Sequence, residues 1–448
     1  MTPIKNKGKL TVGLVSLGCP KNLIDSEVIL GKLGEKGYIL TSSYLSADII
    51  IVNTCSFISA AREESYEVIS RIIRNKSPHQ KLIVCGCLPQ LEKRKLFSKF
   101  PEIDALLGTS DFHQIDKVIE KTILKKERVF SVSKPQFIYN SNFSRLVSTP
   151  PGYAYLKIAE GCSNRCSYCL IPRLRGSFRS REINDVIKEA KDLATMGIKE
   201  VILIAQDTSF YGNDRGEKNY LSSLLKKLEK IKGIEWIRLL YLHPLHFDFE
   251  IIKLMKYSSK ICRYLDIPVQ HTHNDILKLM GRPPFEKTLR IIEKARENIP
   301  EISLRTTLIV GFPGEREHHF KKLLKDIEKL QFDWLGVFTY SREKGTPAYF
   351  MPSQLPHEVK EKRKKIILKL QQSITEKKNR ERIGKTYPVI VDIALDIDLM
   401  KEGEGHTFFQ APEIDGKSVF KEPFSQGSIF QGKVKEVKNT FDLYVCRV

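Results

Sequence analysis

Twice along this chain of 448 residues, short apolar runs alternate with amphipathic stretches, and that rhythm limits the fold more than any other feature. Between residues 10 and 125 the runs TVGLVSL, ADIIIVNT, KLIVCG and IDALLG read as strands, with helical stretches at 23–36 and 60–74. A βαβα order implies an open parallel sheet with helices on both faces. From 153 to about 345, YAYLKIAE, EVILIAQD, WIRLLY, YLDIPV, LRTTLIVG and WLGVFTY read as six further strands, with helices between most of them. Six such units form an incomplete barrel whose site is expected at the C-terminal strand ends. Residues 126–152 read as a polar linker ending in Thr149-Pro150-Pro151-Gly152. Residues 357–382 read as a helix with ten Lys/Arg against four Asp/Glu. Beyond it, YPVIVDIAL, HTFFQAP, SVF, GSIFQGKVKEV and DLYVCRV suggest a small antiparallel barrel, of the kind that includes oligonucleotide-binding folds. Three domains are expected, at 10–125, 148–378 and 381–448.

The nine cysteines are an odd number. Mean hydropathy is −0.26, no apolar run approaches the roughly 20 residues of a membrane helix, and the first residues lack the pattern of a signal peptide. A cytoplasmic enzyme is expected, in which cysteines serve metal or redox chemistry ahead of disulfides. Cys19, Cys55 and Cys87 each lie just past a strand, about one βα repeat apart. An open parallel sheet would gather them in one crevice. The strongest motif is Cys162-Ser-Asn-Arg-Cys166-Ser-Tyr-Cys169, directly after the first barrel strand. Three thiolates in one loop can hold three irons of a [4Fe–4S] cube and leave the fourth open. Zinc would want a fourth ligand, and no other Cys or His lies nearby in sequence. Cys262 and Cys446 fit no motif and read as small buried hydrophobes.

The net charge is +21. That suits work beside nucleic acid or a ribonucleoprotein, and equally a set of solvated lysine-rich faces. The C-terminal segment departs from it, with nine Lys/Arg against eleven Asp/Glu over 381–448. Asp392, Asp396 and Asp398 are the acids expected to face a basic partner. Arg173, Arg175, Arg179 and Arg181 crowd the stretch after the cysteine loop. They read either as contacts to acidic groups of a substrate or nucleic acid, or as a solvated basic face.

The CxxxCxxC spacing on a six-strand barrel resembles the radical S-adenosylmethionine (SAM) superfamily. There the open iron chelates SAM, and one electron cleaves it to a 5′-deoxyadenosyl radical. The chain as a whole resembles the methylthiotransferases within that superfamily. Ser16-Leu17-Gly18-Cys19-Pro20-Lys21-Asn22, Asn53-Thr54-Cys55 and Gly86-Cys87 match the family's three N-terminal motifs. The resemblance implies a flavodoxin-like N-terminal domain, a partial (βα)6 radical SAM core and a TRAM barrel. It also implies two [4Fe–4S] clusters, one on Cys162, Cys166 and Cys169 and one on Cys19, Cys55 and Cys87. Cys85 is a departure that places two cysteines near one ligand position. Gly311-Phe-Pro-Gly314-Glu315 stands where the superfamily has a SAM-contacting turn, and it also reads as an ordinary strand-to-helix turn. Gln206 and Asp207 end another strand, where a SAM or substrate contact and a helix cap are both possible. His271 and His273 are not expected to bind metal, and a substrate-side role is open to them.

SLGCPKNLIDSE, IPRLRGSFRSRE, QDTSFYG and YLDIPVQHTHNDILKLMGRP resemble the members that modify a ribosomal protein. The implied reaction methylthiolates the β-carbon of an aspartate in small-subunit protein uS12, with two SAM molecules and an electron donor such as a flavodoxin. The alternatives are the same chemistry on an adenosine of tRNA, and a non-catalytic RNA-binding protein with structural zinc.

Overall fold

In the computed structural model, which describes residues 10–217, 219–396 and 401–448, the first alternating segment forms one parallel sheet. Its strands are β1 (Thr11–Ser16), β2 (Ile39–Thr41), β3 (Ile49–Thr54), β4 (Lys81–Gly86), β5 (Ala105–Leu107) and β6 (Val129–Ser131). They pair in the order β2-β1-β3-β4-β5-β6. Every residue of β3 is buried, as helices on both faces of a parallel sheet require. The order reverses between β1 and β3, and a crevice opens at their carboxyl ends. Two differences from the expected elements stand out. The edge strands β2 and β6 have three residues each, too few to display a period; β6 lies inside 126–152, so part of that stretch is sheet and not linker. The first helix, Pro20–Glu35, starts three residues early, because Pro20 occupies its first turn with Cys19 as the N-cap.

The barrel strands are β7 (Tyr153–Lys157), with β8 (Ala159–Glu160) and β9 (Arg179–Ser180) as a short antiparallel ribbon, then β10 (Glu200–Ile204), β11 (Trp236–Leu239), β12 (Tyr264–Asp266), β13 (Ser303–Val310) and β14 (Trp334–Thr339). Two parallel sheets, β11-β10-β7 and β12-β13-β14, meet through the bridge Ile237↔Ile261. The six strands thus follow chain order, and no pairing closes β7 onto β14 among the described residues. Helices cover the outside. Ile183–Thr195, for example, buries Val186, Ala190 and Leu193 at helical spacing. The helix His357–Arg380 is less exposed than its charge suggests: Arg363, Ile367, Gln371, Ile374 and Thr375 are buried.

The last segment is a closed barrel of β15 (Thr386–Ile393), β16 (Gly403–His406), β17 (Ser418–Phe420), β18 (Ile429–Lys438) and β19 (Asp442–Arg447), in the order β15-β16-β17-β19-β18. HTFFQAP is strand only at His406. Its next carbonyls are taken from outside the barrel: Arg238 donates to the oxygens of Thr407 (3.1 Å) and Phe408 (2.7 Å), and Trp334 Nε1 donates to that of Phe409 (2.6 Å). The barrel's acids are also turned inward. Glu413 accepts from the Tyr153 and Tyr155 hydroxyls, both at 3.0 Å, and Asp415 from Tyr264 (2.6 Å) and Arg305 (3.3 Å). Asp392 binds His406 Nδ1 at 2.7 Å, whose Nε2 binds Glu200 at 2.5 Å. Asp392 therefore docks the barrel and does not face a partner, contrary to expectation; Asp398 lies outside the described residues. Among the described residues no helix is long and apolar enough to cross a membrane.

Candidate functional site

Cys19, Cys55 and Cys87 sit at the carboxyl ends of β1, β3 and β4. The loops that carry them are tight. Gly18 has φ +92°, and a Cβ there would lie 2.7 Å from the Cys55 Cβ and 3.0 Å from its Sγ, so only glycine fits. Burial pushes the Cys87 thiol up to about 12; Arg175 opposes that, and the Cys55 and Cys19 thiols add to it. The three sulfurs therefore share one environment. Cys85 does not. It points into the sheet's apolar core with Ile24, Ile51 and Ile83, whereas Cys87 packs with Leu170 and Leu174 of the barrel domain. Cys262 is core as expected, whereas Cys446, on β19, is only partly buried, contrary to expectation.

Cys162, Cys166 and Cys169 form the second set, in the loop after β8. The loop is fastened from several sides. Ser167 donates through its backbone to Met280 O (3.0 Å) and through its hydroxyl to Leu279 O (2.7 Å), Asn164 donates to Asp207 (2.7 Å), and the Ile171 N–H points at the Cys169 sulfur (3.4 Å). Burial pushes the Cys162 thiol up to about 11 and the Cys169 thiol higher. A metal that binds such thiols displaces their protons. Among the described residues, two groups of His, Cys, Asp or Glu bring their ligand atoms all within 4.8 Å of one another, and neither contains a cysteine. A tetrahedral zinc site needs sulfurs about 3.8 Å apart, given Zn–S bonds of about 2.3 Å. A cube whose irons each take one thiolate holds them wider. Neither cysteine set is gathered that tightly among the described residues, and three soft thiolates are the donor set that a cube with one open iron takes.

The two non-cysteine groups are His273/His318/His319 and Asp207/His243/His246. His273 Nδ1 accepts from the Asp275 N–H (3.3 Å) and His319 Nδ1 from the Arg316 N–H (2.9 Å). Their Nε2 atoms therefore carry the protons, and ligation would dismantle two helix caps. In the second group Asp207 is already engaged by Asn164, Ser209 and His246, so it organises the mouth of the barrel.

Around that mouth, buried polar atoms lack partners: Gln206 Oε1, His243 Nε2, Gln270 Oε1, His271 Nε2, Thr272 Oγ1, Arg282 Nε and Tyr340 OH. Unpaired buried polar atoms are costly and rare, and here they collect beside the C-terminal strand ends, where a polar ligand would satisfy them. Of these, Gln206 and His271 carried a ligand- or substrate-side reading from sequence. Gln270, with φ +70°, sits in a strained backbone that no motif announces. Gly311 has φ +72° and a Cβ would collide with Lys360 Cγ at 2.3 Å; Gly314 also has positive φ. Glu315 serves this turn. Its Oε2 accepts from the N–H groups of Gly311 (2.7 Å) and Phe312 (3.2 Å), and its Oε1 from Arg363 (2.7 Å). It offers no free carboxylate, and the turn's own N–H groups are satisfied within the chain.

The four arginines do not form an open basic face. Arg175 binds Asp25 (2.7 Å) and Glu160 (3.0 Å), and Arg181 binds Asp185 (2.6 Å) and Glu189 (2.5 Å). Arg179 donates to the backbone oxygens of Phe137 and Arg175. Only Arg173 is exposed, and it donates to Lys344 O. Their acidic partners belong to this chain.

Comparison with known proteins agrees with this layout. Residues 11–108 match a family described as uncharacterized protein family UPF0004, and residues 156–327 match the radical SAM superfamily. The ribosomal protein uS12 methylthiotransferase RimO of Acetivibrio thermocellus is 45% identical over 97% of this chain and 98% of its own length. That of Pelotomaculum thermopropionicum is 47% identical over 93% and 94%. Among solved structures, the radical SAM methyltransferase TsrM from Kitasatospora setae covers 75% of this chain and 76% of its own, with TM-score 0.57 at 17% identity, which speaks to fold alone.

Proposed function

We propose that this chain, which belongs to the RimO family of ribosomal protein uS12 methylthiotransferases, attaches a methylthio group to the β-carbon of an aspartate in uS12. The single observation that carries this reading is the pair of cysteine triads, each with one buried and two half-buried thiols, one at each side of the contact between the flavodoxin-like domain and the barrel. Cys162, Cys166 and Cys169 would hold one [4Fe–4S] cluster and Cys19, Cys55 and Cys87 the other. When bound, the clusters and SAM supply one-electron cleavage of a sulfonium and a methylated sulfur, the chemistry that an unactivated C–H bond demands.

The chain's own residues position and shield. Asn164, Ser167 and the Ile171 N–H fix the cysteine loop of the barrel. Gln206 donates to Glu160 at 2.8 Å and keeps its Oε1 free for a ligand donor. The turn at Gly311 and Gly314 is braced by Glu315, which Arg363 holds in turn. His243 is held neutral, near 3, by burial and by Arg282. Its Nδ1 accepts from the Leu245 N–H, so its unpaired Nε2 is a donor suited to a carboxylate oxygen. The cytoplasm, where uS12 is made and assembled, is the compartment this reading needs, and the reductant would be a small electron carrier such as a flavodoxin.

The test is substitution within one triad. Cys162→Ala, Cys166→Ala and Cys169→Ala should each abolish SAM cleavage and leave the N-terminal cluster visible by its iron and spectrum. SAM cleavage retained in all three would remove the radical SAM reading.

A further inference from the structure

One cation of the barrel domain reaches across to the N-terminal cysteines. Arg175 ends the short helix Ile171–Arg175, six residues after Cys169, and is 2% exposed. Its Nη2 donates to Asn22 Oδ1 at 3.1 Å and points at the Cys87 sulfur at 3.9 Å. Its Nη1 binds Asp25 at 2.7 Å and Glu160 at 3.0 Å. Lys157 binds the same two acids, at 2.5 and 2.9 Å. Asn22 and Asp25 lie on the helix that begins at Cys19, and Glu160 lies two residues before Cys162. Two cations and two anions thus cancel in a buried cluster, with one guanidinium edge left toward sulfur.

We propose that Arg175 is a positioning residue of the N-terminal site: it donates to the Cys87 sulfur, supplies counter-charge to the cluster bound there, and sets that cluster's reduction potential. The inference rests on the reading that Cys19, Cys55 and Cys87 hold a cluster. A hydrogen bond to a ligand sulfur and a nearby positive charge both favour the reduced, more negative state and so raise the potential. Arg suits the place because its fork can serve carboxylates and sulfur at once and its charge persists in burial. A purely structural ion pair between the two domains would hold them together equally well and leave the potential alone.

The full-length Cys162→Ala/Cys166→Ala/Cys169→Ala protein isolates the N-terminal cluster. After anaerobic reconstitution its iron is counted and its potential titrated, with Arg175 intact, as Arg175→Lys and as Arg175→Gln. The expected result is about four irons per chain with Arg175 intact and a potential that moves negative in the order Arg, Lys, Gln. The lysine keeps the charge and loses the fork, so its shift is the smaller one. If the glutamine variant does not fold, the lysine variant decides alone: a negative shift supports the proposal. Equal potentials in folded, iron-loaded variants would overturn it. No iron with Arg175 intact would remove the ligand reading itself, and this proposal with it, before any change at residue 175.

Discussion

Single residues decide which thiol is a ligand. Cys85 and Cys87 are two apart, and on a straight strand they would share a side. The strand ends between them. Gly86 turns with φ +94°, and Cys87 opens the helix Cys87–Glu92, facing the barrel domain, while Cys85 stays in the core. Cys87→Ala should therefore lose the N-terminal cluster. Cys85→Ala should keep it and lose about 1 kcal/mol of stability to a small cavity. Iron counts and spectra of the two variants check this; loss of iron only from Cys85→Ala would reverse the ligand assignment. The six cysteines proposed as cluster ligands stood out in sequence because their spacing is local or repeats with the βα unit. The partners of Arg175 did not, since Asp25 and Asn22 lie 150 and 153 residues away in sequence. A run of arginines looks the same on paper whether its acids are in a substrate or in the same chain.

Elements were legible where they were long. Each barrel strand matches an apolar run, and the three-residue edges β2 and β6 match none. HTFFQAP misled because its aromatics suggest a strand, while tertiary hydrogen bonds from Arg238 and Trp334 claim its carbonyls. The neighbouring His406 makes a prediction at this scale. Burial alone would lower it, but Asp392 and Glu200 raise it to about 9. Since the folded value exceeds the free value of 6.5, its stabilisation is complete below about pH 6.5 and is lost as pH rises through 9. The full chain should melt at progressively lower temperature across that window, and His406→Gln should start lower at pH 6 and follow a flatter profile. Parallel profiles for the two proteins would refute the role of His406 as the charged pin of the C-terminal barrel.

At the scale of the molecule, the first sheet meets the central barrel near the cysteine loops, while the C-terminal barrel docks at the opposite end, on the first residues of the central strands: Tyr153, Glu200, Tyr264 and Trp334. The C-terminal barrel's acidic balance was expected to attract a basic ribosomal protein. Much of that acid is spent on docking, through Glu413, Asp415 and Asp392, and Glu402 and Glu404 pair with Lys438 and Lys417. The choice of substrate thus rests on family membership and not on barrel charge. Mass spectrometry decides it most directly. The reconstituted protein is incubated with SAM, reductant and a sulfur source, in the presence of both uS12 and tRNA. The account predicts a gain of one CH₂S unit on an aspartate of uS12. The same gain on tRNA, with uS12 unmodified, would contradict it.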